Sequence, residues 1–256
     1  MASDHPRATV LITGAARRIG EAIARGFAAE GWHVVIHYGH SDEAALRLAV
    51  QLPSAEAVHC DLADSDAAEA MIRALAARLP DWRVLVNNAS VFAEDTVERP
   101  DPAVFARSMA VNAASPARMA RAFLAHARST AGRRVIQLTD QKLANPNPDF
   151  YSYTISKHAV DAAAQMLAMA CAGDDKVLRL APGAILPSHD QTPAEAEVSH
   201  RMNLLQRRTG LAEIAQAALF LATAPVANGQ VLFVDSGQHL VPQPRDVLYL
   251  AREEGH

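Results

Sequence analysis

The stretch Ala8-Thr-Val-Leu-Ile-Thr13, Gly14-Ala-Ala-Arg-Arg-Ile-Gly20, Glu21-Ala-Ile-Ala-Arg-Gly-Phe-Ala-Ala-Glu30 decides the fold. Its first part is an apolar run rich in β-formers, its last part has helical periodicity, and a glycine turn joins them. Strand, glycine turn and helix together form the local context of a dinucleotide phosphate site. Gly14 allows the tight turn, and Gly20 lets helix and strand approach closely. The helix N-terminus then offers free backbone N–H groups to a pyrophosphate. The pattern is Thr-Gly-x-x-x-Arg-x-Gly, with Arg18 where a middle glycine is common.

The same alternation continues outward. Strand-like runs lie near 8–13, 33–38, 56–60, 83–87, 133–139, 176–181 and 230–234. Helical stretches lie near 18–30, 42–51, 65–79, 102–129, 152–172 and 211–224. Strands alternating with helices imply a parallel sheet covered on both faces. Right-handed crossovers favour a doubly wound α/β sheet of the Rossmann type, spanning 1–256 as one domain. Ligand is then expected at the carboxyl ends of the strands, where the winding reverses. The least regular segment, 184–209, holds Pro187 and Pro193. It reads equally as a substrate lid or a mobile surface loop. The tail after Leu240 is too apolar for a disordered end and is expected to pack on the site or on a neighbouring subunit.

Half of the 256 residues are apolar and 5% are aromatic, an ordinary globular composition. A net charge of −4 argues against a nucleic-acid surface. No stretch is long and apolar enough for a membrane span, and Met-Ala-Ser-Asp-His-Pro lacks the regions of a signal peptide. A soluble cytoplasmic protein is expected. Cys60 and Cys171 make no metal spacing and no disulfide framework, and both read as buried free thiols. No metal is expected.

Chemistry enters at Asp140, Tyr153 and Lys157. Tyr153 and Lys157 are four apart, so a helix would project both from one face. An ammonium beside a phenol is expected to lower the tyrosine pKa from about 10. Asp140 ends an apolar run, thirteen residues before the tyrosine. Of 24 basic Lys and Arg residues only Lys142, Lys157 and Lys176 are lysines, so a lysine here is less easily a random surface charge. Tyr151 is close by, but only Tyr153 has a lysine four residues on.

These pieces carry a resemblance. The series Thr13-Gly14…Gly20, Asp61-Leu62, Asn87-Asn88-Ala89, Asn112, Tyr153…Lys157, Pro182-Gly183 and Gly229-Gln-Val-Leu-Phe-Val-Asp235-Ser-Gly237 resembles the short-chain dehydrogenase/reductase family over nearly the whole chain. Within it, the chain is most similar to pteridine reductases and bacterial dihydromonapterin (dihydrofolate) reductases. Arg17-Arg18, His37-Tyr38, Asn88-Ala-Ser-Val-Phe92, and Asp140 where most members carry serine point there. Gly39 after the second strand, Ser236 in place of a glycine, and the 184–209 segment depart from the pattern.

The resemblance implies a nicotinamide cofactor. An NAD site usually ends its second strand with an acid for the ribose hydroxyl. Here Val35-Ile36-His37-Tyr38-Gly39-His40-Ser41 has none before Asp42, whereas Arg17, His40 and Ser41 offer charge and donors to a 2′-phosphate. NADPH is therefore expected, with Arg17 and Arg18 both among its contacts; the alternative of a solvated surface charge weighs more on Arg18 than on Arg17. By resemblance Asp61 and Leu62 meet the adenine, and Asn88, Ala89 and Ser90 line the groove. Gly14, Ile19, Gly20, His37 and Tyr38 complete the nucleotide side. Pro182 and Gly183 hold the nicotinamide amide. Lys157 binds the ribose beside Tyr153, and Asn112 holds a water in the proton relay or simply satisfies backbone groups.

Asp140 carries the substrate argument. An ionised carboxylate only accepts hydrogen bonds, which suits ring N–H groups better than a carbonyl oxygen. Phe92 falls where pteridine reductases stack an aromatic on the pterin, though a core phenylalanine is an even alternative. Arg17, Phe92, Asp140 and Tyr153 form the expected substrate set. Three functions remain open: an NADPH-dependent reductase of a pterin or folate, a reductase or dehydrogenase for 3-oxoacyl or sugar-like carbonyls, and a silent NADPH sensor. Family resemblance implies a homotetramer.

Overall fold

The computed structural model describes residues 7–188 and 190–254. Met1–Pro6, from which the missing signal peptide is read, lie outside the described residues, as does His189 in the 184–209 segment. Strands β1 (Thr9–Ile12), β2 (His33–Tyr38), β3 (Ala55–His59), β4 (Trp82–Asn87), β5 (Arg134–Leu138), β6 (Lys176–Pro182) and β7 (Val231–Val234) form one sheet. Its order is β3-β2-β1-β4-β5-β6-β7, and every pairing is parallel. The winding reverses between β1 and β4, so the cleft between their carboxyl ends is the natural ligand position.

Alternation along the strands feeds two cores. Val10, Ile12, Val34 and Ile36 face α1 (Arg18–Ala29), α2 (Asp42–Gln51) and α8 (Leu211–Thr223). Leu11, Val35, Leu85 and Val135 face α3 (Ser65–Arg78), α5 (Ser115–His126) and α6 (Tyr151–Ala170). Phe27 of α1 and Phe123 of α5 are fully buried on opposite faces. Truncating either to alanine costs about 3–5 kcal/mol.

Three local features differ from the sequence reading. The stretch expected as one helix over 102–129 is α4 (Pro102–Ser108), a π-helical turn (Met109–Ala114) and α5, ending at His126. Pro116 near the start of α5 lacks the N–H that would continue the ladder, and Asn112 is spent sideways on another segment. The 184–209 segment contains a helix, α7 (Pro193–Ser199), started by a Thr192–Glu195 capping box. The tail, by contrast, is ordered as expected and folds into α9 (Val247–Glu254). Cys60 is buried, but Cys171, expected to be buried, is half-buried because it follows the last residue of α6. No helix among the described residues is long and apolar enough to cross a membrane.

Candidate active site

The turn after β1 is locked by its neighbours. Thr13 Oγ1 accepts from the backbone N–H groups of Asn88 and Ala89 at 2.9 and 3.0 Å, which ties the β1 and β4 exits together. Asn88 Nδ2 donates to Thr13 O at 2.8 Å. A Cβ on Gly20 would lie 2.3 Å from the Gly14 carbonyl oxygen, so only glycine fits there. Arg18 adopts a left-handed φ of 57°, the conformation a glycine takes without strain. Its side chain has a use: Nη2 donates to Pro187 O at 3.0 Å, joining the turn to the 184–209 segment.

His37 was expected among the cofactor contacts, but its side chain is buried and committed. Gly14 N donates to Nδ1 at 3.2 Å, which fixes the proton on Nε2 for Cys60 O at 3.0 Å. Burial lowers its pKa to about 4, so it stays neutral under the turn. Tyr38 is half-buried against His59, His40 is exposed, and Ser41 precedes α2 with its hydroxyl uncommitted to capping. Asp61 is exposed and accepts from Ala63 N, while Leu62 is buried with its carbonyl held by Ser115. Arg17 is exposed, and its side chain makes no hydrogen bond or ion pair among the described residues. Arg17 and Arg18, both expected among the cofactor contacts, are both exposed, and Arg18, for which a merely solvated charge was the stronger alternative, lines the cleft whereas Arg17 does not.

A cavity of about 410 Å³ opens at the carboxyl ends of β4, β5 and β6. Arg18, Ile19, Asn88, Ser90, Phe92, Asp140, Tyr153, Lys157, Pro182 and Gly183 all line it. The sequence-predicted residues from five separate segments thus meet in one cleft. Gly183 is needed there because a Cβ would lie 2.7 Å from both Asp235 Cβ and Gln238 Oε1. Phe92 is no core residue. It is 39% exposed, stacks on Phe150 at 4.1 Å and meets Tyr153 edge-on at 4.8 Å. Tyr151 does not line the cavity.

Tyr153 Oη donates to Asp140 Oδ2 at 2.6 Å, and Asp140 Oδ1 accepts from Lys142 N at 2.8 Å. Burial raises the Asp140 pKa, against the pull of the Tyr153 and Lys142 hydrogen bonds and the two lysine charges. Burial, and then the Asp140 charge, push Tyr153 well above an ordinary phenol. This corrects the expected lowering. The phenol oxygen sits against a carboxylate, whereas Lys157 Nζ turns to Leu138 O at 3.1 Å, 5.6 Å from the ring centroid. Burial lowers Lys157 to about 8, with Asp140 opposing. The pair can hold a proton at Tyr153 Oη near neutral pH and share it with Asp140 Oδ2.

Asn112 is saturated by structure. Oδ1 accepts from Val91 N (2.8 Å) and Ser90 Oγ (3.1 Å), and Nδ2 donates to Val91 O (2.9 Å) and Ser156 Oγ (3.0 Å). Its side chain fastens the Ser90–Val91 segment to the π-helical turn and has no group left for a water.

Sequence reasoning missed the far wall. Lys142 is buried, with Nζ on Asp149 O at 2.8 Å and Asp246 Oδ2 at 3.0 Å. His200 of the 184–209 segment, and Gln238, Asp246 and Leu248 of the tail region, also line the cavity. The scarcity of lysine was a signal for Lys142 as much as for Lys157; nothing local marked the others.

The arrangement fits a dinucleotide. The first turn of α1 has no side-chain cap, so its N–H groups are open to an anion. The Gly20 position has no room for a Cβ, and the cleft continues past Asn88 to Pro182–Gly183 and Lys157. Comparison with known proteins agrees. A family profile described as enoyl-(acyl carrier protein) reductase matches residues 14–239. The solved FolM alternative dihydrofolate reductase 1 of Brucella canis, complexed with NADP, is 34% identical with a TM-score of 0.85, covering 93% of this chain and 96% of that one. A dihydromonapterin reductase of Citrobacter koseri is 26% identical over 90% of this chain and 96% of its own length. A putative ketoacyl reductase of the granaticin polyketide synthase from Streptomyces violaceoruber is 29% identical over 94% and 100%.

Proposed function

The chain belongs to the short-chain dehydrogenase/reductase family, and from that premise we propose that it uses NADPH to reduce a pterin. The Gly14–Gly20 turn and the α1 N-terminus hold the pyrophosphate. Arg17, His40 and Ser41 reach the 2′-phosphate, since the paired exits of β1 and β2 lie side by side. Asp61 and Leu62 meet the adenine, Asn88, Ala89 and Ser90 line the groove, and Lys157 with Pro182–Gly183 takes the nicotinamide end. Bound NADPH supplies the hydride. Tyr153 Oη supplies the proton to the substrate nitrogen, and Asp140 returns it. The raised Asp140 pKa favours this, because a protonated Asp140 donates to Tyr153 Oη and frees the phenol proton for the cavity. Lys157 keeps a positive charge beside the developing phenolate. Asn112 acts on the Ser90 hydroxyl and the Val91 backbone, as a positioning residue. The 184–209 segment serves as a substrate lid.

The observation that carries the pterin reading is the 2.6 Å hydrogen bond between Tyr153 and Asp140 in the cavity. A serine at this position would only offer a hydroxyl to a carbonyl oxygen; Asp140, ionised before it takes up the proton it returns to Tyr153, also accepts from the N–H donors of a pterin edge. Phe92 supports this with an exposed aromatic surface at the same cavity. The competing reading, carbonyl reduction, is favoured by the 29% identity to a ketoacyl reductase. A silent NADPH sensor has no need of the Tyr153–Asp140–Lys157 cluster. The test is NADPH consumption against dihydropterins, dihydrofolate and acetoacetyl thioesters. Turnover of the reduced pterins or folate, lost in Asp140→Ser, is expected. Turnover of thioesters alone would reject the pterin reading. The tetramer stays part of the proposal; exposed Met166 and Met169 on α6 and Phe220 on α8 are apolar faces available to it, read by sedimentation.

A further inference from the structure

The C-terminal tail packs directly on the segment that carries the proton-sharing pair. Leu248 is buried in one apolar cluster with Phe150 and Tyr153. Phe150 opens α6 with a left-handed φ of 52°, a conformation that strains a bulky residue and persists only where its surroundings hold it. Its ring is stacked between Phe92 at 4.1 Å and Tyr249 of the tail at 5.9 Å.

Charge runs through the same contact. Lys142 gives its backbone N–H to Asp140 Oδ1 at 2.8 Å. Its buried ammonium lies 5.4 Å from the Phe150 ring centroid and donates to Asp149 O at 2.8 Å and Asp246 Oδ2 at 3.0 Å. Asp246 is seated by the tail: its N–H donates to Asp149 Oδ2 at 2.8 Å, and Arg245 clamps the Asp149 carboxylate through Nε and Nη2 at 2.8 and 2.9 Å. Lys142 thus joins an acid of the tail to Asp140, which also faces Tyr153 and Lys157 of α6. Arg18 and His200 line the cavity beyond them. Burial raises the Asp140 pKa, and the Lys142 charge is among the forces that oppose the rise. Burial and the Asp140 charge raise Tyr153, and Asp246 adds to that rise. Charges in a buried site are weakly screened, so removing either member of the Lys142–Asp246 pair leaves Asp140 in the field of the other.

We propose that Lys142 and Asp246 are positioning residues for proton transfer: Lys142 favours the carboxylate form of Asp140, Asp246 covers that charge when the tail is seated, and their balance sets how readily the Tyr153–Asp140 pair holds its proton. This rests on that pair as the proton source, whichever substrate is reduced. The experiment titrates the infrared band of the protonated Asp140 carboxyl, assigned by its loss in Asp140→Asn, in the NADP-bound protein. The readout needs no substrate, so a failed pterin assay and a failed inference are told apart. Lys142→Met keeps an apolar stem over Phe150 and is expected to move the midpoint up by about half a pH unit or more. Asp246→Asn keeps an acceptor for Lys142, removes the covering charge, and is expected to move the midpoint down. For any substrate turned over, the pH at which kcat falls should shift in the same order. Midpoints that move the same way in both variants, or in neither, would show a merely structural brace and overturn the inference. If Lys142→Met does not fold, Asp246→Asn decides, and a midpoint that fails to fall overturns it.

Discussion

The nucleotide side of the cleft is held by backbone, and the substrate side by side-chain ion pairs. Thr13, Asn88 and His37 bind the glycine turn through main-chain groups, above a core in which Val10, Ile12, Val84 and Val86 are fully buried. Across the cavity, α7 and α9 meet through Arg252, whose guanidinium reaches Asp190 at 2.8 Å and Glu195 at 3.2 Å. Those groups are partly exposed, and each such pair is worth about 0–1 kcal/mol. The first region is held by close packing; in the second, exposed ion pairs flank a smaller apolar contact in which Ala196, Leu248 and Ala251 are buried.

The comparison breaks first at the reacting group between the two sides. Tyr153→Phe keeps the ring against Phe92 and removes the proton. Turnover is expected to fall by roughly 10²–10⁴-fold with NADPH affinity nearly intact. Steady-state rates and NADPH titration check this, and undiminished turnover would sink the assignment of Tyr153. Gly20→Ala tests the rigid side. A methyl group there would lie 2.3 Å from Gly14 O, 2.8 Å from Ala15 Cα and 2.7 Å from Asn88 Nδ2, which is itself tied to the turn. A stability loss of about 3 kcal/mol and weakened NADPH binding are expected, read by denaturant unfolding and titration. A variant as stable as the wild type would mean that the turn is softer than its hydrogen bonds imply.

Arg17→Ala separates the cofactors. Binding of NADPH should weaken by about 1–3 kcal/mol, the size of a lost charge-assisted contact, and NADH binding should barely change. Equal losses would take the 2′-phosphate away from Arg17. Arg252→Ala has the smallest expected effect. It should cost about 1 kcal/mol of stability or less and raise substrate KM a few-fold, with NADPH affinity preserved. A comparable loss of NADPH affinity would show that the two sides move as one body, and Arg18 would be the connection through Pro187.

The nucleotide side was legible because its signals are local. A glycine turn, a strand and a helix are set by about twenty consecutive residues, and each strand lies within one or two residues of where the sequence places it. The pair Tyr153 and Lys157 was legible for the same reason, being one helical turn apart. The electrostatics of that pair were not. Whether a phenol feels an ammonium or a carboxylate more strongly depends on which lies nearer, and that is set by the exit angle of β5. The π-helical turn at Met109–Ala114 escaped because an apolar helical pattern does not record a slipped hydrogen-bond ladder.

The sequence by itself determined the strand–helix alternation, the glycine turn, the missing acid after β2, and the identity of the groups able to move a proton. Short-range periodicity and spacing are sufficient for each. Tertiary structure decided that Arg18 rather than Arg17 reaches the 184–209 segment, that His37 serves the turn as a neutral imidazole, and that Tyr153 is held protonated. It also decided that Lys142 and Asp246, 104 positions apart, form one wall of the cavity. Contacts over such separations depend on how β5, α6 and the tail pack together, and burial then sets the charge states that no run of neighbouring residues encodes.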